Sequence, residues 1–190
     1  MLPHMPIDHH YRRDEHLILR VAVGLGVVVC LLAIVLAVRI LRSSSPPPPV
    51  QPAEVWAYVS TIAPKAELDP EFVYAIAWAE SSLQEKAGNS GARGMMQLTR
   101  VAWDEVTDES YRHAWDWQTN IRIGIAYLAF CRDFLKKRDA FSYPLLAACY
   151  RYGPYYVQDK GFEIDKLRRP KNEIYKRIFD GEIRPVPPPE

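Results

Sequence analysis

The chain has 190 residues, 48% of them apolar and 25% charged, which suits one globular domain with a further segment attached. A formal net charge of +1, with five arginines against three acids in residues 1–45 and nineteen basic residues against twenty acids after them, excludes the footprint of a nucleic-acid binder. The three cysteines, Cys30, Cys131 and Cys149, are too few for a disulfide-stapled scaffold. Cys131 and Cys149 read as buried thiols, with pairing open in an oxidising compartment.

Residues 1–16 form a polar tail whose His4, His9, His10 and His16 read as ordinary tail residues, so no metal site and no cofactor are expected. An uncharged apolar run from Val21 to Val38 follows, bracketed by Arg20 and Arg39 and extended by Leu17-Ile18-Leu19 and Ile40-Leu41. At about 1.5 Å per residue it crosses a hydrocarbon core of roughly 30 Å once the flanking arginines snorkel, which predicts a transmembrane helix over residues 17–42. The run ends in Ala37-Val38-Arg39-Ile40-Leu41-Arg42, not in the small residues of a cleavage site, so an anchor is expected in preference to a cleaved leader. Val29 before Cys30 and the apolar continuation past it argue against a lipid-modified cysteine. Arg12, Arg13 and Arg20 outnumber Arg39 and Arg42, which leans the tail toward the cytoplasm.

Residues 43–52, Ser43-Ser44-Ser45-Pro46-Pro47-Pro48-Pro49-Val50-Gln51-Pro52, form a linker. Its consecutive prolines favour polyproline II at about 3.1 Å per residue, a stiff spacer of roughly 30 Å. Residues 53–180 read as an all-α domain without period-2 alternation, followed by a Pro-rich tail over residues 181–190.

Within that domain a first helix is predicted over 53–62. A second starts at Asp69-Pro70-Glu71, an N-cap, a first-turn proline and a first-turn acid. A third is expected from Met95 to about Val106. The fourth and longest follows Asp116, with Ile121, Ile125, Leu128 and Leu135 at helical spacing. The fifth, over 144–152, is capped by Ser142 and stopped by Gly153-Pro154, and a sixth spans about 172–179.

The second helix ends in Ala79-Glu80-Ser81-Ser82, and the turn Asn89-Ser90-Gly91-Ala92-Arg93-Gly94-Met95-Met96-Gln97-Leu98 faces it. The negative end of the helix dipole and the apolar neighbours Trp78 and Ala79 both disfavour a carboxylate at Glu80, so its pKa is expected to be raised. A carboxyl held protonated beside a groove is equipped to cleave a glycosidic bond. The nearest second acid, Glu85, reads as a solvated loop residue. The Gln97 amide can both donate to and accept from acetamido groups, while Met95 and Met96 read as at least partly core.

Three separated segments give these residues a context. Glu80-Ser81 with Gly91-Ala92-Arg93-Gly94-Met95-Met96-Gln97, then Asn120-Ile121-Arg122-Ile123-Gly124-Ile125-Ala126-Tyr127-Leu128, then Ala148-Cys149-Tyr150-Arg151-Tyr152-Gly153-Pro154, occur in the order found in the soluble lytic transglycosylases, and the chain resembles that family. The resemblance implies a lysozyme-like helical fold. It also implies cleavage of the β-1,4 bond between N-acetylmuramic acid and N-acetylglucosamine in peptidoglycan. Glu80 would act first as acid and then as base, with the muramic C6 hydroxyl as internal nucleophile and a 1,6-anhydro product.

By the same resemblance Ser81 supports the turn or the acid, Tyr150 brings its hydroxyl near Glu80, and Met96, Gln97 and Arg151 complete the expected substrate contacts. Two departures stand out. Arg151 occupies a position where the family usually has Asn, and Thr99-Arg100 stands where the family has a proline after Gln-Leu. Arg151 is open to pairing with a peptide-stem carboxylate or with Glu80 itself. The expected partners are peptidoglycan glycan strands, the bacterial cytoplasmic membrane through residues 17–42, and a cell-envelope machine. A goose-type lysozyme-like hydrolase and a non-catalytic peptidoglycan-binding module are the alternatives.

Overall fold

The computed structural model describes residues 9–43, 48–88 and 91–189. His4, Ser44 to Pro47 of the linker, and Asn89-Ser90 of the glycine turn therefore lie outside the described residues. The chain divides into two units, Met1–Pro48 and Pro49–Glu190.

Among its described residues the first unit has one helix, α1 (His9–Ser43). Its segment Arg20–Arg39 has a mean hydropathy of 3.1, is long and apolar enough to cross a membrane, and buries none of its surface against protein. The large apolar side chains of this segment are all exposed, from 43% at Val38 to 66% at Leu25. A helix apolar all round with nothing packed on it satisfies its backbone internally and leaves its side chains to another solvent.

The second unit is helical, with one minimal hairpin among its described residues. It runs α2 (Pro52–Ile62), α3 (Pro70–Ser81), β1 (Ala92–Arg93), β2 (Leu98–Thr99), α4 (Arg100–Asp104), α5 (Trp117–Lys136), α6 (Tyr143–Tyr152), α7 (Pro154–Asp159) and α8 (Glu173–Phe179), with single 3₁₀ turns between some of these. α3 starts where its cap residues dictate, for the Asp69 carboxylate accepts from the backbone N–H of Glu71 and Phe72 at 2.9 and 3.1 Å. Phe72 to Ala77 are all buried, so α3 is enclosed by its neighbours, α2 and α8 among them. α5 is capped by Asp116 and packs on α6, and α6 in turn carries α7 and α8.

One expectation needs correction. The helix expected from Met95 begins only at Arg100, and Leu98–Thr99 pair with Ala92–Arg93 as a short antiparallel ladder. Gly94 at φ +76° and Gln97 at φ +48° turn the chain out of helical geometry, and Thr99 then caps α4 by accepting from the Ala102 N–H. The helix expected to stop at Gly153-Pro154 does so, α6 ending at Tyr152. Pro154 serves as the first residue of a further short helix, α7, the position where its missing N–H costs nothing.

Candidate active site

Glu80 sits in the last turn of α3, with its side chain 14% exposed. The helix closes behind it through two successive non-glycine residues in the left-handed region, Ser82 at φ 54° and Leu83 at φ 60°. Such a conformation costs free energy in side-chain-bearing residues and survives only where the surroundings impose it. Here the Ser82 N–H closes the helix on the Trp78 carbonyl at 2.9 Å, and Leu83 is buried in the core.

The carboxyl faces a cleft of about 450 Å³. Ala92, Gln97, Leu98, Thr99, Val101 and Ala102 form one wall; Tyr127, Tyr150, Arg151, Tyr152 and Gly153 form the other. Glu80 is the one acid among these lining residues. Tyr175 of α8 donates its hydroxyl to Glu80 Oε1 at 2.5 Å, and Arg151 Nη1 lies 3.6 Å from the same oxygen. The Arg151 guanidinium also lies over the Tyr175 ring, 4.6 Å from its centroid. Burial raises the Glu80 pKa; the Tyr175 hydroxyl and the Arg151 cation both oppose that without cancelling it. Burial likewise holds the Tyr175 phenol well above its ordinary range, so it stays a donor. The result is a carboxyl that binds its proton more tightly than an exposed glutamate and is oriented by one fixed donor.

The hairpin wall is built from backbone held by side chains. Asn120, fully buried on α5, accepts the Met96 N–H at 2.7 Å and donates to the Arg93 and Ala114 carbonyls at 3.0 Å each. Tyr150 donates to the Met96 carbonyl at 2.7 Å, and Ser81 donates to the Met95 carbonyl at 2.6 Å. Gly94 is required beneath this arrangement, because a Cβ there would come within 2.3 Å of both the Ala114 carbonyl oxygen and Asn120 Nδ2.

Of the residues singled out in the sequence, Glu80, Gln97, Tyr150 and Arg151 line the cleft together. Ser81 does not. It turns away to hold the hairpin backbone. Met96, expected among the substrate contacts, is fully buried and lies against Gly124, whose missing side chain makes room for it. Its contribution to the site is the main-chain carbonyl that Tyr150 grips. The Tyr150 hydroxyl is accordingly committed to that carbonyl and not to Glu80. Glu85 pairs with Lys86 at 2.7 Å.

Sequence reasoning missed Tyr175 and the role of Asn120. The inward face of α8, with Ile174, Tyr175 and Ile178 in helical spacing, was legible, but nothing local said which inward residue reached Glu80. Asn120 carried a clearer signal, an amide one turn from Gly124 on the core face of an otherwise apolar stretch.

Residues 57–170 match the family described as Transglycosylase SLT domain. The chain belongs to that family. The SLT domain thus covers the cleft, both walls and Glu80, while Tyr175 lies just beyond the matched residues. Among solved structures, the lytic transglycosylase Slt of Pseudomonas aeruginosa, an inactive glutamate-to-glutamine mutant, aligns at 24% identity and a TM-score of 0.49. That alignment covers 67% of this chain and 21% of the Pseudomonas chain, so the present chain spans about a fifth of its length. Comparison with curated proteins returns no significant match.

Proposed function

We propose that this SLT domain is a lytic transglycosylase that cuts the β-1,4 bond between N-acetylmuramic acid and N-acetylglucosamine. The observation that carries the reading is the placement of Glu80: one buried, proton-retaining carboxyl at a cleft whose other described lining residues include no acid. Glu80 gives its proton to the glycosidic oxygen as that bond breaks. The resulting carboxylate then takes the proton of the muramic C6 hydroxyl as the hydroxyl oxygen bonds to C1. The product is a 1,6-anhydromuramoyl end, no water is consumed, and Glu80 regains its proton. The substrate's own hydroxyl, already held near C1, supplies the nucleophile at high effective concentration, so one enzymic carboxylate suffices. Tyr175 fixes the rotamer of the acid, and Arg151 stabilises the carboxylate that forms between the two steps.

On this reading residues 17–42 anchor the protein once in the bacterial cytoplasmic membrane, with residues 1–16 inside. Residues 43–52 hold the domain of residues 53–180 away from the bilayer on the outer side, and residues 181–190 form its tail. The apolar, unpacked surface of α1 supports the anchor. Tethering confines cutting to wall near the membrane, as a cell-envelope machine that opens the wall locally would require.

The test incubates the full chain in detergent micelles, and its Glu80→Gln variant, with purified peptidoglycan and weighs the products. Anhydro ends from the parent, lowered about 10²- to 10⁴-fold in the variant, are the expected outcome. Reducing muramic ends would replace transfer by goose-type hydrolysis. Sedimentation with the polymer and no release would make the domain a binding module.

A further inference from the structure

Beyond the hairpin lies a second cavity of about 430 Å³ that the chemistry of Glu80 does not use. Arg93, Arg100 and Arg112 all line it, with Ser110 and Tyr111. Three guanidinium groups at one cavity repel one another unless something compensates them, and the protein compensates them weakly. Arg100 has Asp104 at 3.7 Å, an exposed pair of little strength. Arg93 donates to the Tyr111 carbonyl at 3.3 Å, and Arg112, exposed, bonds to Ser110 through its backbone N–H and makes no side-chain ion pair among the described residues.

The fold instead assembles the cations on an aromatic support. The buried Tyr111 ring has the Arg93 guanidinium 4.4 Å and the Arg100 guanidinium 5.5 Å from its centroid, and its own hydroxyl is anchored to the Leu98 carbonyl at 2.7 Å. Trp115 meets Arg93 from another side at 5.4 Å. Rings attract the cations without neutralising them, which leaves planar N–H donors available to an anion.

We propose that this cavity binds a carboxylate of the peptide stem carried by the glycan strand in the catalytic cleft. Carboxylate and phosphate share the geometry that a guanidinium fork recognises. Position favours the stem. The cavity and the cleft share Ala92 as a lining residue, and along β2 and α4 Thr99 and Val101 face the cleft while Arg100, between them, faces the cavity. A substituent leaving a strand in the cleft therefore reaches the arginines by crossing the hairpin edge. The inference rests on the peptidoglycan reading above for the identity of the strand.

The experiment measures binding alone, in the full chain carrying Glu80→Gln in detergent micelles. Its affinity is determined by sedimentation with intact strands, strands whose stem carboxylates are amidated, and strands stripped of stems. Intact strands should bind about tenfold more tightly than the other two, and adding Arg100→Gln and Arg112→Gln should abolish that preference. Both arginines are exposed, so the substitutions leave the core untouched. Equal affinity for all three polymers, or a preference that survives the two substitutions, overturns the proposal. So does displacement of the protein by millimolar inorganic phosphate together with indifference to amidation, which would assign the cavity to phosphate. The catalytic reading fails separately, through absence of anhydro ends from the parent chain, and that failure leaves these binding ratios unchanged.

Discussion

The two walls of the catalytic cleft are stabilised by opposite means. On the hairpin wall, side chains hold backbone: Asn120, Tyr150 and Ser81 satisfy main-chain groups from Arg93 to Met96, and Gly94 supplies the one conformation that lets them meet. On the helical wall, side chains manage a charge: Tyr175 and Arg151 converge on one oxygen of Glu80. The first wall is a matter of shape and the second of proton affinity. A disturbance of one should therefore be read in stability and a disturbance of the other in pH dependence.

The largest effect is expected from Gly94→Ala, which forces a Cβ onto the Ala114 carbonyl and Asn120 at a positive φ. It should cost about 4 kcal/mol in urea unfolding of the full chain. Asn120→Ala follows at about 3 kcal/mol, because it strands the buried Met96 N–H and Ala114 carbonyl and the part-buried Arg93 carbonyl. If either variant keeps parental stability, the hairpin wall is not held as described. Ser81→Ala removes one bond to the Met95 carbonyl and should cost about 1 kcal/mol by the same measurement.

Arg151→Gln probes the other wall. Its cation favours the carboxylate form of Glu80, so removing it lets burial raise the pKa further, and the protonated acid persists to higher pH. The alkaline limb of the activity profile should move upward with little change in unfolding. A limb that stays in place or moves downward would sever Arg151 from the acid. Glu80 also links folding to pH. Its folded pKa lies above the ordinary 4.5, so the native state holds the proton more tightly, and stability falls as pH rises from that value through the folded pKa. Glu80→Gln should flatten that part of the stability profile.

Much of the fold was legible because its signals are local. Asp69-Pro70 started α3, Asp116 started α5, and Ser142 and Gly153 bounded α6, each by satisfying or removing particular backbone groups. The hairpin was not legible. Met95-Met96-Gln97-Leu98 has ordinary helical composition, and the bonds from Ser81, Asn120 and Tyr150, fourteen, twenty-four and fifty-four residues away, hold it as the turn and returning strand of the hairpin. The same distance problem hid Tyr175, whose bond to Glu80 closes across ninety-five residues.

The sequence by itself determined that an acid ends a capped helix, that a glycine turn follows it, and that an apolar segment able to cross a membrane precedes the domain. Spacing, caps and hydropathy are properties of neighbouring residues, and neighbours are visible in one dimension. Tertiary structure alone decided that Met96 is core while Gln97 lines the cleft, that Arg151 reaches Glu80, and that Arg93, Arg100 and Arg112 share a cavity. Those outcomes depend on which side chains meet across the fold, and the proton affinity of Glu80 is set by the neighbours that packing brings to it.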